Sequence, residues 1–247
     1  MKRTPWLILL LICFSTLALA APLEVTPLES VLHFPEGAGA EDAVFTMSVS
    51  LPSVAETMPG DEAINAFYAY QISDLLLFTA PMYFSEVERS NATGTLAIDY
   101  EVTYNGDHYF SVLMYKTQHI GEDSYTTQAG NVFTREVEGG SVVTMAELLG
   151  ISDHLDDDGK TYERATRRAN DLVYKAVFEH LNTLIDADGT PFTIGMEDLI
   201  AEFYPESDFY LTDSDTIVFF IDAGLFSYDA ERFVTVPLSL AQLKDDL

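Results

Sequence analysis

The sequence predicts an α+β fold, an antiparallel sheet built from hairpins and packed against two long helices. Three observations carry this. Residues 95–117 alternate apolar and polar side chains through two strand-length runs on either side of Asn105-Gly106. Apolar residues recur at helical spacing from Ile64 to Leu76, and again from Ala165 to Leu184. The strand-like runs come in neighbouring pairs with the helical runs between blocks, the order of α+β rather than of a parallel α/β sheet.

Taken in order, residues 1–20 have the three parts of a secretory signal. Lys2 and Arg3 are followed by the apolar run Trp6 to Phe14, and Ala18-Leu19-Ala20 supplies small residues before Ala21-Pro22. The run is short for a bilayer, which needs about 20 apolar residues, so cleavage is expected over retention as an anchor. Ile12 stands where a lipoprotein would carry Gly or Ala before Cys13. Residues 21–247 are then expected to form one domain, with an N-terminal half of about 21–140 and a C-terminal half of about 141–247. Cys13 is the single cysteine, so the exported chain would hold together by its core without disulfides.

Ala21 to Phe34 reads as an extended edge segment, since Pro22 and Pro27 suit an edge. Pro35 to Gly39 is a loop. Ala43 to Leu51 alternates with one buried face. Gly60-Asp61-Glu62 opens a helix, its acids placed at the positive end of the dipole, and Pro81 marks its expected end. Asn105-Gly106 is the favoured pair for a tight hairpin turn. A third strand is expected over Asn131 to Glu138, turning at Gly139-Gly140. Met145 to Leu149 reads as a short helix stopped by Gly150, and Tyr162 to Leu184 as a long one. Met196 to Phe203 is helical. Asp208 to Thr212 turns through Asp213-Ser214-Asp215 into Thr216 to Ile221. Arg232 to Val236 is a last strand closed by Pro237, and Leu238 to Leu243 adds a helical turn.

Charge is the strongest compositional feature. The chain has 12 Lys+Arg against 40 Asp+Glu, a formal net charge of −28, and removal of Lys2 and Arg3 leaves −30. Such a surface repels nucleic acid and anionic lipid and attracts cationic proteins. Solubility, or adaptation to a salty or acidic habitat, would account for the same charge. No segment after the signal has the apolar length of a membrane span.

Chemistry-bearing patterns are sparse. Asp156-Asp157-Asp158-Gly159 and Asp186-Ala187-Asp188-Gly189 resemble calcium loops. With glycine sixth, however, the loops would run His154 to Ala165 and Leu184 to Gly195, whose closing residues cannot supply the bidentate carboxylate. His33, His108, His119, His154 and His180 form no zinc pattern. There is no GxSxG elbow, P-loop or GxGxxG after a strand. No catalytic residue, metal ligand or cofactor is assigned. Asn91-Ala92-Thr93 fits a glycosylation sequon, a short pattern read as a chance match. Thr117 to Tyr125 reads as a loop between strands. Its His119, Glu122, Asp123 and Tyr125 are the residues of choice for ligand contact, because projecting loops carry recognition.

The second half resembles the RsiV-like extracellular domains, found in lysozyme-sensing anti-sigma factors and beside peptidoglycan deacetylase domains. Val143 to Leu149 is similar to that family's "tL-dLf" step after a Gly-ending hairpin. Phe209-Tyr210-Leu211-Thr212, Ile217-Val218-Phe219-Phe220 and Val234-Thr235-Val236-Pro237-Leu238 are similar, in order, to its "FyL", "lvf-F" and closing "v-IP" strands. The chain departs from the family twice. Gln118-His119-Ile120-Gly121-Glu122 stands near the family's Gly-Gly-Ala-His turn, and Ala223 to Ala230 replaces its "YeiaPyaaG" stretch. The resemblance implies a secreted or extracytoplasmic binding module for a cationic protein such as lysozyme, or for the cell wall. It implies neither enzyme activity nor a nucleic-acid partner. The alternatives are a structural envelope protein without a specific ligand, and a hydrolase with two carboxylates facing each other about 5 to 10 Å apart.

Overall fold

The computed structural model describes residues 22–151, 160–184, 194–222 and 233–246. The signal at residues 1–20, the acidic loop Asp153 to Gly159 with His154, the turn Asp186 to Gly189 and the stretch Ala223 to Ala230 lie outside them.

The α+β expectation holds. Strand β1 (Val25–Phe34) pairs antiparallel with β2 (Phe45–Val54), from Val25 opposite Val54 to Phe34 opposite Phe45. Alternation decides which face of β2 is buried: Phe45, Met47, Val49 and Leu51 are covered, and Thr46, Ser48 and Ser50 turn the other way. A 30-residue helical run follows, comprising α1 (Asp61–Asp74), a π turn (Leu75–Thr79) and α2 (Ala80–Ser90). It ends at Asn91, whose left-handed φ of 50° closes the helix. Then come β3 (Gly94–Asn105), β4 (Tyr109–Ile120) and β5 (Asp123–Thr134), all antiparallel, giving the order β1-β2-β3-β4-β5.

Three local expectations are corrected here. The sheet is mixed, because β2 and β3 run parallel. The long helix returns the chain to the end from which β2 started, which is what a parallel crossover requires. Second, the helix does not stop near Pro81. Ala80 N–H bonds to Leu75 C=O across the widened π turn, which sets Pro81 in the first turn of α2, where its missing N–H costs least. Third, Asn105-Gly106 is not a two-residue turn. Gly106-Asp107-His108 bridges the strands, with a register shift between Val102 and Tyr104. Asn105 is diverted: its side chain accepts from Leu23 N–H (2.8 Å) and donates to Leu23 C=O (2.9 Å).

The second half is smaller. Helix α3 (Met145–Leu148) starts in a capping box in which Thr144 Oγ1 accepts from Glu147 N–H and Glu147 accepts from Thr144 N–H, and Gly150 at φ +73° follows it. Helices α4 (Lys160–Leu181) and α5 (Met196–Glu202) precede β6 (Phe209–Leu211), β7 (Thr216–Asp222) and β8 (Phe233–Ser239), an antiparallel sheet in that order, and α6 (Leu240–Asp245) follows. Pro237 does not close β8, which continues to Ser239. As an edge strand, β8 tolerates the missing donor.

Each long helix packs on its own sheet. Ile64, Tyr68, Ala80, Tyr83 and Val87 pack with Met47, Leu96, Phe110 and Phe133 of the large sheet. Ala165, Ala169, Val173, Val177 and Leu181 pack with Phe219 and Val236 of the small one, and with Leu199 and Phe203 at α5. A fully buried Val, Leu or Phe contributes about 1.5–3 kcal/mol. The two clusters meet on β5, where Val132 belongs to one and Phe133 to the other.

One polar clasp lies within the first cluster. Asp61 and Arg135 are both fully buried and pair at 3.1 Å. Arg135 also donates to Gly106 C=O (2.8 Å) and Thr57 Oγ1 (3.2 Å), while Asp61 accepts from Thr57 N–H and Oγ1 and from Met58 N–H. Burial alone would raise the Asp61 pKa; the Arg135 guanidinium and the Thr57 and Met58 donors outweigh it and hold the carboxyl below its ordinary value. The expected strand Asn131 to Glu138 begins instead at Asp123 and ends at Thr134, because Arg135 turns inward to this pair.

Candidate functional site

Because strand side chains alternate, the large sheet has a second face opposite α1 and α2. Registered pairs place on it Glu29, Val31 and His33 of β1; Thr46, Ser48 and Ser50 of β2; and Thr95, Ala97, Asp99 and Glu101 of β3. Tyr115, Thr117 and His119 of β4 and Ser124, Thr126 and Gln128 of β5 complete it. Hydroxyls dominate. The charged members are carboxylates, and none is Lys or Arg. Thr117 and Thr126 hydroxyls share a 2.8 Å bond, and His33 Nδ1 meets Thr46 Oγ1 at 3.2 Å.

The small sheet crosses one end of this face. Leu211 N–H donates to the buried Ser111 hydroxyl (3.0 Å), which also accepts from Thr103 (2.9 Å). Gly130 N–H donates to Ser207 C=O (2.8 Å), and a Cβ on Gly130 would stand 1.5 Å from Phe209 O, so this crossing requires glycine. Where the crossing stops, Tyr115 and Tyr210 stand beside Asp99 and Glu101. Tyr115 donates to Glu101 Oε2 at 3.0 Å. Burial first, and then the neighbouring Glu101, push the Tyr115 phenol up to about 12. Burial and then Glu101 also raise Tyr210. Both phenols therefore stay protonated at neutral pH, Tyr115 gives its O–H to Glu101, and the phenol oxygens join two exposed carboxylates as acceptors, a corner suited to hold a cation with hydrogen-bonding arms.

Thr117 to Tyr125 is not the loop the sequence suggested. Strands β4 and β5 run to its tip and turn through Gly121-Glu122, with Gly121 at φ +62° in the first central position, which favours glycine. His119 lies exposed on the open face. Asp123 and Tyr125 belong to the opposite, helix-side face, and Glu122 sits in the turn itself. The structure thus divides these four residues between two faces and the tip, while placing His119 on the same face as Asp99 and Glu101. Sequence reasoning missed the corner residues because Tyr115 and Tyr210 read as ordinary strand aromatics. The signal that could have found them was the carboxylate pair at Asp99 and Glu101 on the polar phase of β3.

A second concavity, about 580 Å³, runs along α4 between Glu163, Thr166, Arg167, Asn170, Asp171 and Tyr174. Its charges are mixed. Among the described residues, the Thr166 hydroxyl and the Asn170 amide oxygen are buried there without hydrogen-bond partners. Among the described residues, no three His, Cys, Asp or Glu side chains gather to hold a metal ion, and no helix is long and apolar enough to cross a membrane.

No family model and no curated protein matches this chain in sequence. Several solved structures are similar to it, two of them from DUF3298-family proteins. A DUF3298-family protein of Pseudomonas aeruginosa is 12% identical with a TM-score of 0.53, over 90% of this chain and 93% of that one. A DUF3298-family member from Bacteroides fragilis is 9% identical with a TM-score of 0.47, over 90% and 92%. The Pseudomonas likeness extends across both sheets and shows a shared fold.

Proposed function

We propose that this chain is an exported, non-enzymatic binding module of the RsiV-like type. Its partner is a cationic protein such as lysozyme, or a cationic cell-wall component, and it binds on the open face of the large sheet. One observation carries the reading: that face bears Glu29, Asp99 and Glu101 with no Lys or Arg, beside the phenols of Tyr115 and Tyr210. The order of short apolar motifs in the second half and the fold shared with the DUF3298 protein support it from outside the site. A cationic side chain over Asp99 and Glu101 would gain charge-assisted hydrogen bonds, with encounter speeded by the −30 charge left once Lys2 and Arg3 are removed.

The test is retention of lysozyme on the immobilised chain at low and moderate salt. Retention that weakens with salt, and falls about tenfold or more in an Asp99→Asn, Glu101→Gln double variant, is the expected result. No retention at either salt sinks the lysozyme reading, and failure to retain isolated cell-wall material as well sinks the binding module altogether. The export part is checked separately by the mass of the mature protein, which should begin at Ala21.

A further inference from the structure

The 30-residue helical run has an outer face unlike the rest of the surface. Between Glu62 and Glu86, Asp74 is the only charged residue, in a chain with 12 basic and 40 acidic residues. Ala66, Ala69, Tyr70, Ser73, Leu77, Phe78, Pro81, Met82 and Ser85 are exposed along it. Tyr70 is 69% exposed, Leu77 and Phe78 67% each, and Met82 58%. The π turn explains how this face arises. The buried line passes from Leu75 to Ala80, five residues on, so the extra residue bulges outward and Leu77 and Phe78 both face solvent. Large apolar side chains grouped in this way mark an interaction surface.

We propose that this face is an isologous dimer interface, occupied by the same helix of a second copy running antiparallel. Charge selects the occupant. Two exported bodies that each carry −30 can approach most closely where charge is sparsest, and along this helix Asp74 alone stands between Glu62 and Glu86. A strongly cationic partner would instead be drawn to the acids on the open sheet face. The ends are complementary as well: exposed Glu62 lies near one end and exposed Arg89 at the other. A two-fold axis at Leu77 and Phe78 sets the Met82 of one copy against the Ser73 notch of the other. It also sets Arg89 against Ala66, one helical turn from Glu62.

The experiment is sedimentation of the exported protein from micromolar to submillimolar concentration, at low and high salt. A dimer that tightens with salt is expected, since screening removes the repulsion between like-charged bodies. Leu77→Asp and Phe78→Asp should each raise the dimer Kd by about tenfold or more, with circular dichroism unchanged. Arg89→Glu should weaken the dimer, and Arg89→Glu with Glu62→Arg should restore it. A monomer at every concentration and salt overturns the proposal. So does a dimer indifferent to Leu77→Asp and Phe78→Asp, or a monomer that cosediments with phosphatidylcholine vesicles through this face.

Discussion

The two long helices of this protein bury similar stripes and differ on the side they show to water. Helix α4 exposes Glu163, Arg164, Arg167, Arg168, Asp171, Lys175 and Glu179, with Asp171 and Lys175, and Lys175 and Glu179, at the i,i+4 spacing of favourable ion pairs. The α1–α2 run exposes Tyr70, Leu77, Phe78 and Met82 instead. One helix is finished against solvent, whereas the other is finished on a single side. The inner side of a helix is set by the sheet beneath it, so the outer side is where a partner leaves its mark on the sequence.

The largest loss of stability is expected at the anchor of the first helix. Arg135→Met leaves Asp61 charged and buried, and should cost about 3–5 kcal/mol in urea denaturation; a loss below about 1 kcal/mol would show that α1 is not held by this pair. On the second helix, Leu181→Ala removes a fully buried side chain and should cost about 2–5 kcal/mol by the same measurement, since α4 depends on its packed stripe.

Acid should separate the two halves. The Asp61 carboxyl is held low in the folded protein, so its stabilisation is complete above the ordinary aspartate value of 3.8 and is lost as pH falls through the lower folded value. Glu206 and Asp208, beside the small sheet, are shifted the other way, burial being the first cause in both. Their burial as anions opposes folding at neutral pH, and that penalty lifts as pH falls through their raised values. Hydrogen exchange followed from pH 6 to 3 should show protection around β6 gained first and protection around α1 lost last. The reverse order would contradict the assignment.

The smaller effects sharpen the contrast. Thr144→Ala, which breaks the capping box of α3 ahead of α4, should cost about 1 kcal/mol. Lys175→Ala on the solvated face of α4 should stay within about 0.5 kcal/mol by thermal denaturation and leave the oligomeric state unchanged.

What could be read from residues alone follows the same division. The β3–β4 pairing, the short helix α3 with its stop at Gly150, and the inner stripe of α4 were legible because each is a local pattern. The parallel pairing of β2 with β3 was not, since alternation reveals a strand's faces but not its neighbour's direction. Arg135 carries no local sign of burial, because it stands beside Glu136 and its partner Asp61 is 74 residues away in the chain. Residues 117–125 read as a loop because the open sheet face is polar, which weakens the alternation that marks a strand. On the open face, the sequence singled out His119 and passed over the corner with Tyr115, Tyr210, Asp99 and Glu101. Its parts come from β3, β4 and β6, and only the crossing at Gly130 brings them together.

The clasp between Leu23 and Asn105 gives the molecule a compass bearing. Asn105 ends β3 at one pole, and β3 begins at Gly94, beside the Gly121-Glu122 tip, some eleven steps or about 36 Å away at ~3.3 Å per residue. Leu23 therefore sits at the pole opposite that tip, so a partner seated over the tip and His119 stands clear of the start of β1.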